Sequence, residues 1–421
     1  MAALDGYYRN VLTMITGTLI AQLIPFVSMP ILTRLYDPES FGLYGFVLGV
    51  SGLLVVVATG KYEVAIMQPR EKRNADVLFR IAVCLGVIFC IISCFVIYAG
   101  YYYIESIQHS EIPATHLLAI PAVAGFMVFH NSFTMWLNRS KLYKQISANR
   151  ILYSFLVAVV PILLAFVFPD SAGLLLGLLA AYFVVITWLI IRFWTEIEPA
   201  PFKEIRKLLF EYRDYPKFAM PSGVFNVIAS QAPVILFVPV FGALYSGCYL
   251  LVERMLMAPI ALIGASVSAV YRQAAQIEMQ ENGKYDAIFL LTFRKLLIIG
   301  VPVFFVIGLL SPVAFSIVFG KNWVIAGEFS RILAPFFCAR FVVSPLMSSF
   351  YVSDRLKLNL VVQFLYCFFI LLSIVLGWWS QDIFVTVKLV SLFGSLFYVI
   401  VLFAIYRLSL GGAARSSLPE R

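Results

Sequence analysis

The sequence predicts an all-α integral membrane protein, with twelve transmembrane helices in two parallel-repeat six-helix lobes around a central cavity. Three observations lead there. Hydrophobic residues make up 62% of the 421 residues and charged residues only 13%, against roughly 25% charged in ordinary soluble domains. Apolar runs long enough to cross a hydrocarbon core of about 30 Å recur along the whole chain. The polar loops between them alternate in charge, which gives each run a direction.

The runs fall at Val11–Leu32, Phe41–Met67, Val77–Ala99, Ala114–Leu137, Ile151–Phe168 and Ala172–Ile191. After a polar interval they return at Phe218–Val240, Ala243–Val270, Phe289–Pro312, Ala326–Val352, Leu358–Trp379 and Ile383–Tyr406. The first is read as a retained span, because it is of spanning length and lacks a short apolar core followed by a small-residue cleavage site. Between the first two, Asp37-Pro38 cannot continue a helix: proline has no amide hydrogen and pushes the preceding residue out of the helical region. The two spans must therefore meet in a tight hairpin.

Loops after the even-numbered spans carry the cations: Arg70, Lys72 and Arg73; Arg139, Lys141 and Lys144; Lys203, Arg206, Lys207, Arg213 and Lys217; Arg272 and Lys284; Arg355 and Lys357; and in the tail Arg407, Arg415 and Arg421. The alternate loops hold only Arg34 and Lys321. The positive-inside rule then places both termini in the cytoplasm. This asymmetry accounts for the net charge of +9 without a nucleic-acid partner.

The domain boundaries expected are a first lobe over 1–194, a cytoplasmic amphipathic linker over 195–217, and a second lobe with a short tail over 218–421. In the linker, Phe202, Ile205, Leu208, Leu209 and Tyr212 share a helical face and Lys203, Arg206, Lys207 and Arg213 lie off it, the pattern of a helix in the membrane interface. A solvated linker is the alternative. Gly42-Leu43-Tyr44 after the first span is echoed by Gly247-Cys248-Tyr249 after the seventh, which argues for duplication. Six spans are an even number, so both halves enter from the same side and the repeats are parallel.

Catalytic and nucleotide-binding motifs do not occur: there is no GxxxxGK[ST], HExxH or GxSxG. An enzyme, a metal and a cofactor are therefore not expected. Cys84, Cys90, Cys94, Cys248, Cys338 and Cys367 all lie in apolar runs with no ligand-type spacing, and read as packing residues.

The informative residues are charges inside spans, where a cation costs roughly 2.5–3.5 kcal/mol on insertion scales. Lys61, Arg254, Arg331, Arg340 and Lys388 are the candidate substrate-binding cations, with Glu63 and Glu253 the carboxylates at comparable depth. Sequence neighbours on a helix point about 100° apart, so neither glutamate simply neutralises the cation beside it. A shared, water-filled cavity that accepts an anion is the least costly setting for that excess. Arg331 and Lys388 lie near span ends, where reaching the surface is an equal alternative. Gln22 with Thr18 and Pro25 on the first span, and Asn226 and Ser230 with Gln231 and Pro233 on the seventh, are candidate cavity-lining stripes. Ordinary packing explains them equally. His130 and Asn131 on the fourth span are read as a polar relay or as locally satisfied residues.

Leu32–Phe46, LTRLYDPESFGLYGF, followed by Gly60–Pro69, GKYEVAIMQP, resembles the amino-terminal signature of the bacterial polysaccharide-export family of repeat-unit flippases, within the multidrug/oligosaccharidyl-lipid/polysaccharide flippase superfamily. The resemblance implies an inner-membrane transporter working by alternating access. Its cargo would be a polyprenyl-pyrophosphate-linked oligosaccharide, turned from the cytoplasmic to the periplasmic leaflet for assembly of O-antigen, lipopolysaccharide or capsule. Partners implied are that lipid-linked oligosaccharide, membrane lipids and other polysaccharide assembly proteins. Proton or sodium coupling through Glu63 or Glu253 stays open. A multidrug antiporter of the same superfamily is one rival, although its cationic drugs prefer an acidic cavity. A membrane-embedded polymerase or ligase is the other, and the short loops expected on the outer side argue against it.

Overall fold

In the computed structural model, residues 2–103, 112–199, 201–353 and 356–411 are described. The loop cations Arg355, Arg415 and Arg421, and most of the expected outer loop Tyr101–Pro113, lie outside the described residues. No strand occurs among the described residues, and twelve helical stretches are long and apolar enough to cross a membrane. They follow the order and number expected from the apolar runs.

The first of them, α1 (Ala2–Leu35), ends where Asp37-Pro38 predicts. Asp37 caps α2 (Pro38–Thr59), accepting a hydrogen bond from the Ser40 amide at 2.8 Å, and Pro38 occupies the first turn, where no amide donor is needed. Between the two helices Tyr36 is buried and its hydroxyl donates to the Pro161 carbonyl at 2.7 Å. Burial, with Asp170 nearby, pushes that phenol up to about 12.

The second span departs from expectation. The apolar run was read to Met67, but α2 stops at Thr59 because Gly60 (φ 55°) and Lys61 (φ 63°) both adopt the left-handed conformation. Glycine does so freely and lysine only at a cost. Lys61 therefore precedes a separate short helix, α3 (Tyr62–Ala65), instead of lying mid-helix.

Next come α4 (Lys72–Tyr103), α5 (Ala114–Arg139), α6 (Tyr143–Leu164) and α7 (Ser171–Phe193). They pack around an apolar core that includes Phe79, Phe133, Trp136 and Phe193. At its rim a fully buried carboxylate, Asp76, accepts from Trp136 Nε1 at 2.6 Å and from the Glu198 amide at 3.2 Å, with Lys72 Nζ 3.3 Å away. Each group there would lose water on burial, so the acid and its donors satisfy one another and fix the linker on α4.

The linker helix α8 (Phe202–Glu211) forms as expected, but its apolar face does not lie wholly towards the bilayer. Leu208 is buried in the same core, with Ile205, Leu209 and Tyr212 against it, whereas Phe202 and Phe210 are exposed. Glu204 takes a two-pronged hydrogen bond from Arg73, at 3.1 and 2.8 Å, which clamps the helix on α4.

A π-helical turn, Tyr215–Ala219, leads into α9 (Met220–Phe241), followed by α10 (Ala243–Asn282), α11 (Asp286–Phe319), α12 (Val324–Val343), α13 (Ser349–Val352), α14 (Leu356–Ser380) and α15 (Ile383–Ser409). The chain forms two compact units, Met1–Gly247 and Cys248–Arg421. α9 thus groups with the first unit, because it packs along α2, and the compact division falls later than the 194/218 boundary expected from the repeats.

Inside the first unit, α2 crosses the start of α10 with backbone against backbone. A β carbon on Gly42 would collide with the Ala243 carbonyl, and one on Gly247 with the Pro38 carbonyl. Gly42 and Gly247 are the two glycines of the echoed tripeptides, and each stands four residues after the other's contact partner.

Candidate functional site

In the second unit, α12 begins just after Trp323 and carries Arg340 in its last turn, before Ser344–Ser348 tightens into a 3-10 turn around Pro345. Carbonyls at such a helix end favour a cation. The guanidinium is half-buried and lies within electrostatic reach of Glu253 and Tyr249 on α10, Tyr366 on α14 and Tyr398 on α15. Tyr249 and Glu253 stand one turn apart and so share a face of α10.

The three tyrosines are buried, at 4%, 8% and 5% exposure for Tyr249, Tyr366 and Tyr398, whereas Glu253, Arg254 and Arg340 keep partial access. Rings hold the cage in place: Tyr366 lies 4.9 Å from Phe397 and 6.2 Å from Tyr398, and Tyr398 5.9 Å from Phe336, centroid to centroid. Glu253 also lies within electrostatic reach of Arg254. The cluster thus brings two guanidiniums, one carboxylate and three buried tyrosines together.

The other candidates lie elsewhere. Arg331 pairs with Glu328 at 2.6 Å, one turn earlier on α12, and its side chain is 57% exposed. It edges an apolar groove of about 460 Å³ between α11 and α12, with Phe304, Leu309 and Pro335. The sequence reading counted only Glu63 and Glu253 as carboxylates at depth and overlooked Glu328. Lys388, early on α15, is exposed and has no ion-pair partner among the described residues.

In the first unit Lys61 lies 3.6 Å from Glu63, so the expectation that these two do not meet is corrected. That expectation assumed one continuous helix, and the left-handed step at Gly60 and Lys61 folds the lysine back over its neighbour. Glu63 is buried, and its second oxygen, Oε2, has no hydrogen-bond partner. Lys61 extends across Gly223 on α9, where a β carbon would stand in its way. Tyr62 donates to the Leu209 carbonyl at 2.9 Å, and burial raises its phenol above the ordinary value.

Among the candidate lining residues, Asn226 is exposed, Ser230 donates to the Val227 carbonyl at 3.1 Å, and Gln231 approaches Gly49 on α2. Gln22 Oε1 is buried without a hydrogen-bond partner.

Sequence reading missed Arg150. The fifth apolar run was begun at Ile151, but α6 starts at Tyr143, so Arg150 lies inside the span. It donates to Thr18 Oγ1 on α1 at 2.7 Å and has no carboxylate partner among the described residues. Beside it Asn149 is fully buried, 3.1 Å from His130 Nε2, with Oδ1 unpartnered. His130 stacks on Tyr153 at 5.2 Å and meets Tyr182 edge-on at 5.7 Å. The signal for this arginine is the helix-compatible stretch from Tyr143 to Arg150, which carries no proline or glycine.

A family model described as polysaccharide biosynthesis protein matches residues 31–327, which includes the signature hairpin, α8 and Arg254. The chain belongs to this family. Arg340 lies just beyond the matched residues. None of the curated proteins matches the sequence.

Among solved structures, the chain is similar to the lipid II flippase MurJ in an inward closed conformation, 14% identical over 94% of this chain and 87% of that one, with a TM-score of 0.66. An inward-facing multidrug resistance MATE family transporter of the MOP superfamily is likewise 14% identical, over 94% and 98% of the two chains, with a TM-score of 0.63. A MOP superfamily transporter from Pyrococcus furiosus Vc1, described as having a binding pocket whose reverse polarity suggests a different function, is 14% identical over 96% and 95%, with a TM-score of 0.57. At such identity the likeness is one of fold: this member of the polysaccharide biosynthesis family has the fold of MOP superfamily transporters.

Proposed function

We propose that the protein is a flippase that carries polyprenyl-pyrophosphate-linked oligosaccharide repeat units across the bacterial inner membrane, by alternating access, for assembly of O-antigen, capsule or a related polysaccharide. The observation that carries this reading is the cluster of Arg340, Arg254 and Glu253 within the tyrosine cage of the second unit. Two guanidiniums stand near one carboxylate there, at a depth where cations are costly to place. A pyrophosphate is attracted to such a pair, and guanidinium forks match its oxygens. The phenols of the cage offer hydroxyls to the same oxygens or to the first sugar.

In this reading Arg254 and Arg340 bind the pyrophosphate, and Lys61 of the first unit is a separate candidate cation for the cargo. Arg331 and Lys388 assist nearer the membrane surface. The loop charges favour cytoplasmic termini, so the cargo enters from the basic side. Glu63 and Glu253 are the groups through which a proton or sodium ion would couple to transport. No step needs a bond to be made or broken, which sets this reading apart from a polymerase or ligase.

Family membership supports a role in polysaccharide assembly, and the resemblance to a lipid II flippase supports a lipid-linked cargo. A multidrug antiporter shares the fold, but a cationic cluster repels the cationic drugs such antiporters take.

The test is complementation: Arg254→Ala and Arg340→Ala, at matched protein level in cells deleted for the gene, should each remove most surface polymer and leave lipid-linked repeat units in the membrane. Normal polymer from both variants would refute the assignment of the site.

A further inference from the structure

The outer face of α8 carries a concentration of cations that the proposed transport cycle does not use. Lys203, Arg206, Lys207 and Arg213 line a surface hollow of about 580 Å³ together with Leu209 and Phe210. All four are exposed. Lys203, Arg206 and Lys207 follow helical three- and four-residue spacing and so point the same way. The Arg213 guanidinium stacks over the Phe210 ring at 4.2 Å, which holds it at the rim. No carboxylate lines the hollow: of the acids in this stretch, Glu204 is held by Arg73, and the exposed Glu211 and Asp214 stand outside its lining.

Two further observations fix how the hollow is presented. The opposite face of α8 is seated in the protein by buried Leu208, by the Arg73–Glu204 clamp and by the Tyr62 hydroxyl on the Leu209 carbonyl. The cations therefore project from a rigid mount. Beside them Phe202 is 79% exposed and Phe210 67%. Large rings left uncovered next to cations match the boundary between headgroups and acyl chains, not bulk water.

We propose that this hollow docks the phosphate headgroup of an anionic phospholipid in the leaflet adjoining α8, with Phe202 and Phe210 seated among the upper acyl chains. The arginine forks and lysine ammoniums meet the phosphate oxygens, and the rings set the depth. A soluble anion would gain nothing from the two phenylalanines, and so the geometry favours a lipid over free phosphate. The site is independent of the cargo reading above and stands whether or not the protein is a flippase.

The experiment uses the full-length protein in nanodiscs of phosphatidylcholine with increasing phosphatidylglycerol, with retained lipids counted by native mass spectrometry. Replacing three cations together, Arg206→Gln, Lys207→Gln and Arg213→Gln, should weaken the preference for phosphatidylglycerol roughly a hundredfold. Lys144→Gln with Lys284→Gln, exposed cations elsewhere, should leave it unchanged. Phe202→Ser with Phe210→Ser keeps every charge, and should cut retention severalfold while any weak binding of inorganic pyrophosphate stays as it was. That pair also keeps the proposal testable should the triple variant fail to fold. Wild-type retention by the triple variant, or by the phenylalanine pair, would overturn the proposal. So would displacement of phosphatidylglycerol by equimolar inorganic pyrophosphate, which marks a soluble-anion site, or by a short-chain polyprenyl pyrophosphate at lower concentration, which marks a cargo site.

Discussion

Lys61 and Arg150 in the first unit and Arg340 in the second are met in opposite ways. In the first, Lys61 meets Glu63 two residues away and Arg150 meets Thr18 on the neighbouring helix, so each is answered by a single nearby group. In the second, Arg340 is approached by residues from three other helices, and the one carboxylate among them also faces Arg254. A charge met by one local partner stabilises a chain break or a helix pair. A charge on which side chains from three other helices converge is, in the proposed reading, where an incoming anion would be met.

The widest separation between the units should appear with Arg340→Ala. Transport of lipid-linked repeat units is expected to fall roughly ten- to a hundredfold, the worth of a charge-assisted hydrogen bond, with the melting temperature of the purified protein nearly unchanged. Lys61→Met should show the reverse balance: Glu63 is left buried without its partner, which lowers stability by about 1–3 kcal/mol, while transport falls less than for Arg340→Ala. Should Lys61→Met stop transport as completely as Arg340→Ala in a protein that melts normally, the contrast drawn here collapses.

Tyr366→Phe sharpens the same contrast at smaller scale. It keeps the ring packing with Phe397 and removes one hydroxyl from the cage, so transport should drop only a few fold, on the order of one neutral hydrogen bond. The smallest effect is expected from Thr18→Val, which takes the acceptor from Arg150. A melting shift equivalent to about 1 kcal/mol with transport unaltered would keep Arg150 structural. A large transport defect with normal melting would instead promote it to the binding machinery.

What hydropathy can report was legible in the sequence. Twelve spans, their order, and the hairpin at Asp37-Pro38 follow from run length and from the chemistry of proline. The step at Gly60 and Lys61 was hidden, because a left-handed backbone leaves no mark in an apolar run, and with it went the Lys61–Glu63 contact. Arg150 escaped because averaging over a window begins a span at its first unbroken apolar stretch, whereas α6 starts earlier on residues that tolerate either setting. Glu328 was passed over since it stands near the start of α12, yet one helical turn is all that Arg331 needs to reach it. Of the apolar face expected on α8, Ile205, Leu208, Leu209 and Tyr212 meet the core and Phe202 does not, since periodicity gives no sign of whether such a face meets protein or lipid. The tyrosine cage comes from three helices far apart in sequence, and no local pattern connects them.

The cage around Arg340 has a consequence for energy coupling. A guanidinium stays charged at any acidity a cell meets, and ordinary phenols stay neutral there. Within this cluster, then, protons can be counted at one address, the side chain of Glu253. Were that acid to bind a proton, the negative charge near both arginines would be withdrawn in a single step, and under the proposed function the pull on a passing anion would rise with it.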